Sequence, residues 1–420
     1  MGRSQYQVLV PRHAASIVAA ALADTRVVLV NGARQCGKST LVRRLTDGSA
    51  TELRDLDIAA VRSAAAADPA GFVDYAADLM VIDEIQRVPE LLLAIKHEVD
   101  TDPRPGRFVL TGSSRLLGLR DLPDALPGRM ETIELWPFSQ GEIDGKPDGF
   151  IDAIFAEGPQ LHHTSTVNRA DYAARVVRGG FPQAVARSTP RRRELFFDSY
   201  LGDLISRDVH QLSELERIPQ LRALLRLLAA RSGGLLVAGS LSNELGISQP
   251  TVTRYVALLQ EVFLIKRIPA WSRNVSTRAI GTPKVAFVDS GIAANLLDTD
   301  AHGLRRPDSW FGPLLEGFVL MELARQGTWS RLRIELSHYR TKDKVEVDAV
   351  LEDRNGRVVG MEVKAASTVR VEDFNGLRHL AARLGDDFVV GVVFYTGAQT
   401  LSFGPRLRAI PISALWEAQL

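Results

Sequence analysis

The run Gly32-Ala33-Arg34-Gln35-Cys36-Gly37-Lys38-Ser39-Thr40 meets every fixed position of the phosphate-loop pattern G-x-x-x-x-G-K-S/T. Its flanks turn the match into a constraint on the fold. Val27-Val28-Leu29-Val30 is apolar and mostly β-branched, as a buried parallel strand is, and Leu41, Val42 and Leu45 recur at helical spacing. A glycine-bearing loop between strand and helix wraps a phosphate chain with converging N–H groups, and the positive end of the helix favours the anion. Gly32 through Thr40 are therefore candidate ligands of a nucleoside triphosphate, ATP in the first instance. Lys38 is placed to reach its β- and γ-phosphates, and Ser39 to ligate Mg²⁺.

Some forty residues on, Leu79-Met80-Val81-Ile82 is a second apolar strand and ends in Asp83-Glu84. Two acids at a strand end next to a phosphate loop suit hydrolysis: Asp83 for the metal shell, Glu84 as general base, and Gln86 near enough to orient water or sense the nucleotide. A third strand, Arg107-Phe108-Val109-Leu110, ends in Thr111-Gly112-Ser113-Ser114, where Thr111 or Ser113 is the candidate sensor of the γ-phosphate. Gly128-Arg129 precedes the strand-like Glu131-Thr132-Ile133-Glu134-Leu135. Arg129 or Arg115 is the candidate for stabilising transition-state charge, in cis or across a subunit interface. Residues 1–140 thus read as a doubly wound α/β P-loop ATPase core.

The charge balance, 51 Lys plus Arg against 50 Asp plus Glu, provides no global field for a polyanion, so any nucleic-acid surface must be a local patch. One cysteine, Cys36, cannot form an internal disulfide. There is no signal peptide and no apolar run long enough to span a bilayer, so a cytoplasmic protein without a membrane partner is expected. Positive potential at the loop could lower the Cys36 thiol pKa; a small, variable loop residue is the simpler reading.

The 420 residues suit two to four domains. Residues 141–230 read as a connector and a helical lid, broken at Gly179-Gly180-Phe181-Pro182 and carrying the basic run Arg191-Arg192-Arg193. Within 231–275, Ser240 to Leu245 reads as a short helix, Gly246-Ile247 as a tight turn, and a second helix runs from its cap Ser248 to Leu259. This is a helix-turn-helix layout, with the strand-like Glu261–Ile268 as its wing. The second helix buries Val252, Tyr255, Val256 and Leu259. It leaves Gln249, Thr251, Thr253 and Arg254 outward, side chains suited to base edges and phosphates of DNA.

In 276–420, Lys344–Leu351 alternates as a strand, Glu352–Arg357 is a polar hairpin, and Val358–Lys364 resumes the sheet. Period two puts Glu362 and Lys364 on one face, and the hairpin brings Asp348 beside Glu362. Asp348 and Glu362 are then candidate ligands of Mg²⁺ or Mn²⁺, with Lys364 orienting or deprotonating a water that attacks phosphate. Glu316, on the helix-like Pro313–Leu323, is the further acid. A charged surface hairpin is the plain alternative.

Taken in order, these motifs resemble a family of bacterial and archaeal AAA+-type ATPases that join a phosphate-loop domain, a winged helix and a C-terminal domain related to PD-(D/E)xK nucleases. The motifs are G-A-R-Q-C-G-K-S-T at 32–40, I-D-E-I-Q at 82–86, L-T-G-S-S at 110–114, L-P-G-R at 126–129, G-G-F-P at 179–182, S-R-D-V at 206–209, F-V-D-S-G at 287–291, V-E-V-D at 345–348 and M-E-V-K at 361–364. The resemblance spans nearly the whole chain. It implies an α/β chain with a restriction-endonuclease-like C-terminal domain, an oligomer, and action on nucleic acid. Cys36 departs from the small or aliphatic residue the family pattern leads one to expect. Two functions are open on these grounds. One is an enzyme coupling ATP turnover to DNA binding or cutting; the other is a nucleotide-driven switch whose nuclease-like domain is a scaffold.

Overall fold

The computed structural model describes residues 9–113, 126–209, 218–274, 278 and 281–420. Ser114 and Arg115 lie outside the described residues. The chain forms two compact units, Pro11–Pro137 with Glu261–Phe263, and Phe138–Gln260 with Leu264–Leu420. The connector, lid, helix-turn-helix and C-terminal segments of the sequence reading thus fall within the second unit, apart from Glu261–Phe263.

The first unit is built on a parallel sheet in the order β2-β3-β4-β1-β5, with β1 Val27–Asn31, β2 Thr51–Asp55, β3 Leu79–Asp83, β4 Phe108–Gly112 and β5 Met130–Glu134. The three central strands are buried along their whole length, which is why they read as continuous apolar runs. The edge strands are more polar and more exposed, as suits strands with one unpaired side. Beneath the sheet, the helix Leu91–Thr101 turns Leu91, Ile95 and Val99 onto Val27, Met80 and Phe108. Burial of each such side chain contributes roughly 1.5–3 kcal/mol. Because all five strands run the same way, the carboxyl ends of β1, β3 and β4 share one edge. In register, Val30 pairs with Thr111 and Ile82 with Leu110.

In the second unit, helices Ala238–Leu245 and Gln249–Glu261 flank Gly246, whose φ of 62° and ψ of 31° make the left-handed turn that glycine adopts without strain. Ser248 caps the second helix through the Thr251 N–H at 3.3 Å. The next strands, β6 Ile265–Ile268 and β7 Lys284–Phe287, pair antiparallel with Ile268 opposite Lys284. The long helix Phe311–Trp329 leads into a six-stranded mixed sheet. Its strands are β8 Ile334–Arg340, β9 Glu346–Asp353, β10 Val358–Lys364, β11 Phe388–Tyr395, β12 Leu401–Gly404 and β13 Leu407–Pro411, ordered β12-β13-β11-β10-β9-β8. The expected hairpin is β9 with β10, Met361 facing Ala349. Helix Asn375–Leu384 packs Leu377 and Leu380 on this sheet at Gly360, where a Cβ would come 2.9 Å from Leu377.

Two motifs that were separate in sequence prove to be one structural joint. The buried carboxylate of Asp289 caps the helix Ser290–Leu296 through the N–H groups of Gly291 and Ile292, at 2.9 and 3.2 Å. It also accepts from Gly180 and Phe181 at 2.6 and 3.2 Å. Gly179 has φ 66°, and a Cβ there would meet Asp289 at 2.2 Å. G-G-F-P and F-V-D-S-G therefore belong together because one carboxylate satisfies four backbone donors.

Candidate active site

The shared edge of β1, β3 and β4 assembles the phosphate loop, Asp83 and Thr111. Gly32 lets the loop start close to the backbone, since a Cβ would lie 2.0 Å from the Leu135 carbonyl oxygen. Gln35, exposed, has φ 60°, and Gly37 has φ 103° immediately before the helix Lys38–Leu45. Ala33 and Cys36 are buried, Arg34 is half-buried, and Thr40 faces outward on the helix. The Cys36 thiol donates to the Leu135 carbonyl at 3.3 Å, which accords with the plain reading of that residue rather than an exposed reactive thiol. Lys38 is buried, and its ammonium donates to the carbonyls of Gly32 and Ala33 at 3.0 Å each.

Ser39 Oγ donates to Asp83 Oδ2 at 2.8 Å, with Oδ1 at 3.1 Å. Thr111 Oγ1 donates to Asp83 Oδ1 and accepts the Glu84 N–H at 3.1 Å. Asp83 is thus fixed from both sides, by the loop serine and by the hydroxyl at the end of β4. Glu84 adopts φ 60°, ψ 48°, a left-handed conformation that costs a non-glycine residue about 1–2 kcal/mol. Such strain is concentrated at functional positions. Its Oε2 accepts from Ser113 Oγ at 2.8 Å and from Gln86 Nε2, which also reaches Ser113 Oγ at 2.8 Å. The two sensor candidates therefore divide the acids, Thr111 serving Asp83 and Ser113 serving Glu84. A hydroxyl beside a carboxylate, next to a phosphate-binding loop, is a donor set that suits a hard divalent cation such as Mg²⁺.

Arg129 is not brought to this edge. It precedes β5, its carbonyl accepts from Val27 at the start of β1, and its guanidinium is bidentate to Asp100 at 2.5 and 3.0 Å. It lies at the amino ends of the strands, with the length of the sheet between it and the loop, so a role in cis is corrected. Arg12 was missed by sequence reasoning. It donates to the carbonyls of Cys36 and Trp136 at 2.8 and 2.6 Å, bracing the loop from outside any motif.

The C-terminal candidates do gather, with an addition that sequence reasoning left out. Lys284, buried on β7, donates to Glu316 Oε1 at 2.5 Å and to Asp348 Oδ1 at 2.9 Å, so an ammonium already bridges two of the three acids offered as metal ligands. Asp348 Oδ2 accepts the Val363 N–H at 2.9 Å, and Lys364 reaches Glu362 at 3.3 Å. Burial, then the charge of Asp348, pushes both Glu316 and Glu362 up to about 8. Burial also opposes ionisation of Asp348, but Lys284 and the Val363 amide outweigh it and hold that carboxyl below its ordinary value. Among the described residues no three His, Cys, Asp or Glu side chains form a metal-holding group. Of the DNA-contact candidates, Gln249, Thr253 and Arg254 are exposed and Thr251 is half-buried, while Val252, Tyr255, Val256 and Leu259 are buried.

Residues 24–144 match the family model of an AAA domain. This stretch is similar to P-loop ATPase domains. Residues 169–303 and 311–415 match two domains of unknown function, DUF8612 and DUF4143. Uncharacterized proteins of Mycobacterium bovis and Mycobacterium tuberculosis are each 29% identical over 361 residues, 85% of this chain and 74% of theirs. Among solved structures, a Walker-type ATPase of Pyrococcus abyssi is 16% identical with a TM-score of 0.44, over 69% of this chain and 96% of that one. The RuvB Holliday junction branch migration motor of Thermotoga maritima is 20% identical with a TM-score of 0.31, over 62% and 90%. No described helix is long and apolar enough to cross a membrane.

Proposed function

We propose that this chain is a Mg²⁺-dependent ATPase that couples ATP binding and hydrolysis to DNA binding or processing. The observation that carries the hydrolytic part is the chain Ser39–Asp83–Thr111, which fixes a metal-shell acid beside the phosphate loop, with Glu84 directly after it. Bound Mg·ATP supplies the electrophilic γ-phosphorus and neutralises charge on the phosphates. Lys38 exchanges its two loop carbonyls for phosphate oxygens. Glu84 takes the proton of the attacking water, and Gln86 and Ser113 govern where its carboxylate points. A second copy presenting its Arg129 would supply the transition-state cation, so a homo-oligomer belongs to this reading. Lys38→Ala should abolish nucleotide binding, while Glu84→Gln should retain it and lose turnover; normal hydrolysis by Glu84→Gln would remove Glu84 from the role of base.

DNA binding is the further part of the proposal. The helix Gln249–Glu261, with Gln249, Thr253 and Arg254 exposed, and the β6–β7 ribbon after it, support a winged-helix reading. For the C-terminal region two readings compete. In one, Asp348, Glu362 and Lys364 cut phosphodiesters with a divalent ion. In the other the domain is a non-catalytic scaffold driven by the nucleotide state, and the Lys284 bridge between Glu316 and Asp348 favours it.

A further inference from the structure

Five ionisable side chains meet where β7, the helix Phe311–Trp329, β9 and β10 adjoin, and two lysines face three carboxyl groups. Lys284 lies between Glu316 and Asp348, at 2.5 and 2.9 Å, and is almost wholly withdrawn from solvent. The other Asp348 oxygen is taken by the Val363 amide, and Glu362 has Lys364. The backbone that carries Lys284 is itself held. Val285 donates to Gly234 O at 3.0 Å and accepts from Gly233 N at 2.8 Å, and Ile268 pairs with Lys284 across the ribbon. Gly233, at φ 82°, lies against Glu316 so closely that a Cβ would come 2.8 Å from its side chain. Displacing the ammonium would leave a buried cation without its partners, which is among the most costly changes a protein interior can undergo.

We propose that Lys284 is the resident cation of this cluster. A tethered ammonium does for Glu316 and Asp348 what a divalent ion would do, so the site takes up neither Mg²⁺ nor Mn²⁺ and holds β7 to the long helix and the sheet. The inference deepens the scaffold reading and does not depend on ATP hydrolysis. Here this chain parts from the nuclease-like pattern it resembles: the acids are present, but the counter-ion of Asp348 and Glu316 is a side chain from outside the V-E-V-D and M-E-V-K motifs.

The test is a Mn²⁺ titration of the intact chain without nucleotide, followed by electron paramagnetic resonance of free Mn²⁺. It compares the wild type with Glu316→Gln and Asp348→Asn. Superimposable titrations are expected, any weak binding at the phosphate loop being common to all three. A Mn²⁺ site present in the wild type and lost in both variants would overturn the proposal. Thermal unfolding adds an independent readout. Lys284→Met should lower the melting temperature by several degrees, and adding Asp348→Asn to it should recover part of that loss, because the uncompensated charge is gone. Strictly additive losses would contradict the bridge. Should Lys284→Met fail to fold, the Mn²⁺ comparison decides alone, and intact ATP hydrolysis in Glu316→Gln would keep the outcome separate from that of the ATPase proposal.

Discussion

Ser39 and Asp83, 44 residues apart in sequence, meet through the serine hydroxyl, which lies 2.8 and 3.1 Å from the two carboxylate oxygens. The contact ties the start of the helix after the phosphate loop to the end of β3, and Thr111 closes it from β4. Thr111→Val should therefore free one side of Asp83 and misplace it without unfolding the sheet. The expected loss in ATP turnover is about 10–100-fold, as for other residues that orient a metal ligand. Steady-state ATPase assays with saturating Mg²⁺ check this, and an unchanged rate would show that Thr111 does not position Asp83.

Asp289→Ala should destabilise the second unit by more than about 3 kcal/mol, because four backbone donors lose their acceptor in a buried place. Asp289→Asn, which keeps one oxygen, should cost less. Urea midpoints at constant slope measure both.

Stability of the second unit should fall as pH rises from about 5 towards 8. Glu316 and Glu362 have folded-state values pushed up to about 8 from 4.5, first by burial and then by Asp348. The folded state thus binds more protons than the unfolded chain, and the stability this provides is present at low pH and lost as pH passes through about 8. Asp348, held low, works the other way at acid pH. Melting temperatures across this range should slope less in Glu316→Gln with Glu362→Gln than in the wild type; parallel profiles would contradict the assignment.

What the sequence made legible was local. The phosphate loop, β1, β3 and β4 could be read because short apolar runs and fixed glycine and lysine positions lie side by side. The two helices Ala238–Leu245 and Gln249–Glu261 followed from Gly246 and the cap Ser248. Lys284 was hidden because its partners are 32 and 64 residues away and one lysine opening the short strand Lys284–Phe287 carries no pattern. Arg12 was hidden for the same reason, its acceptors being 24 and 124 residues distant. The left-handed backbone of Glu84 leaves no mark in composition. Arg129 could have been placed from sequence by strand direction alone, since a residue preceding a parallel strand lies opposite the ligand edge.

If the helix Gln249–Glu261 contacts DNA, Arg254→Ala should weaken duplex binding at every sequence tested and lower the salt slope by about one counterion. Fluorescence anisotropy across a salt series measures this. Equal affinity and slope in both proteins would favour a protein-contact role for the module.

The central claim is that the edge built by Lys38, Ser39, Asp83 and Glu84 hydrolyses ATP. The most direct measurement pairs ATP binding, by calorimetry with Mg²⁺, with phosphate release, in wild type and Glu84→Gln. Glu84→Gln should bind ATP as the wild type does and release phosphate at least about 100-fold more slowly, the scale expected for loss of a general base. A wild type that binds Mg·ATP but releases no phosphate, or a Glu84→Gln variant as fast as the wild type, would contradict the account.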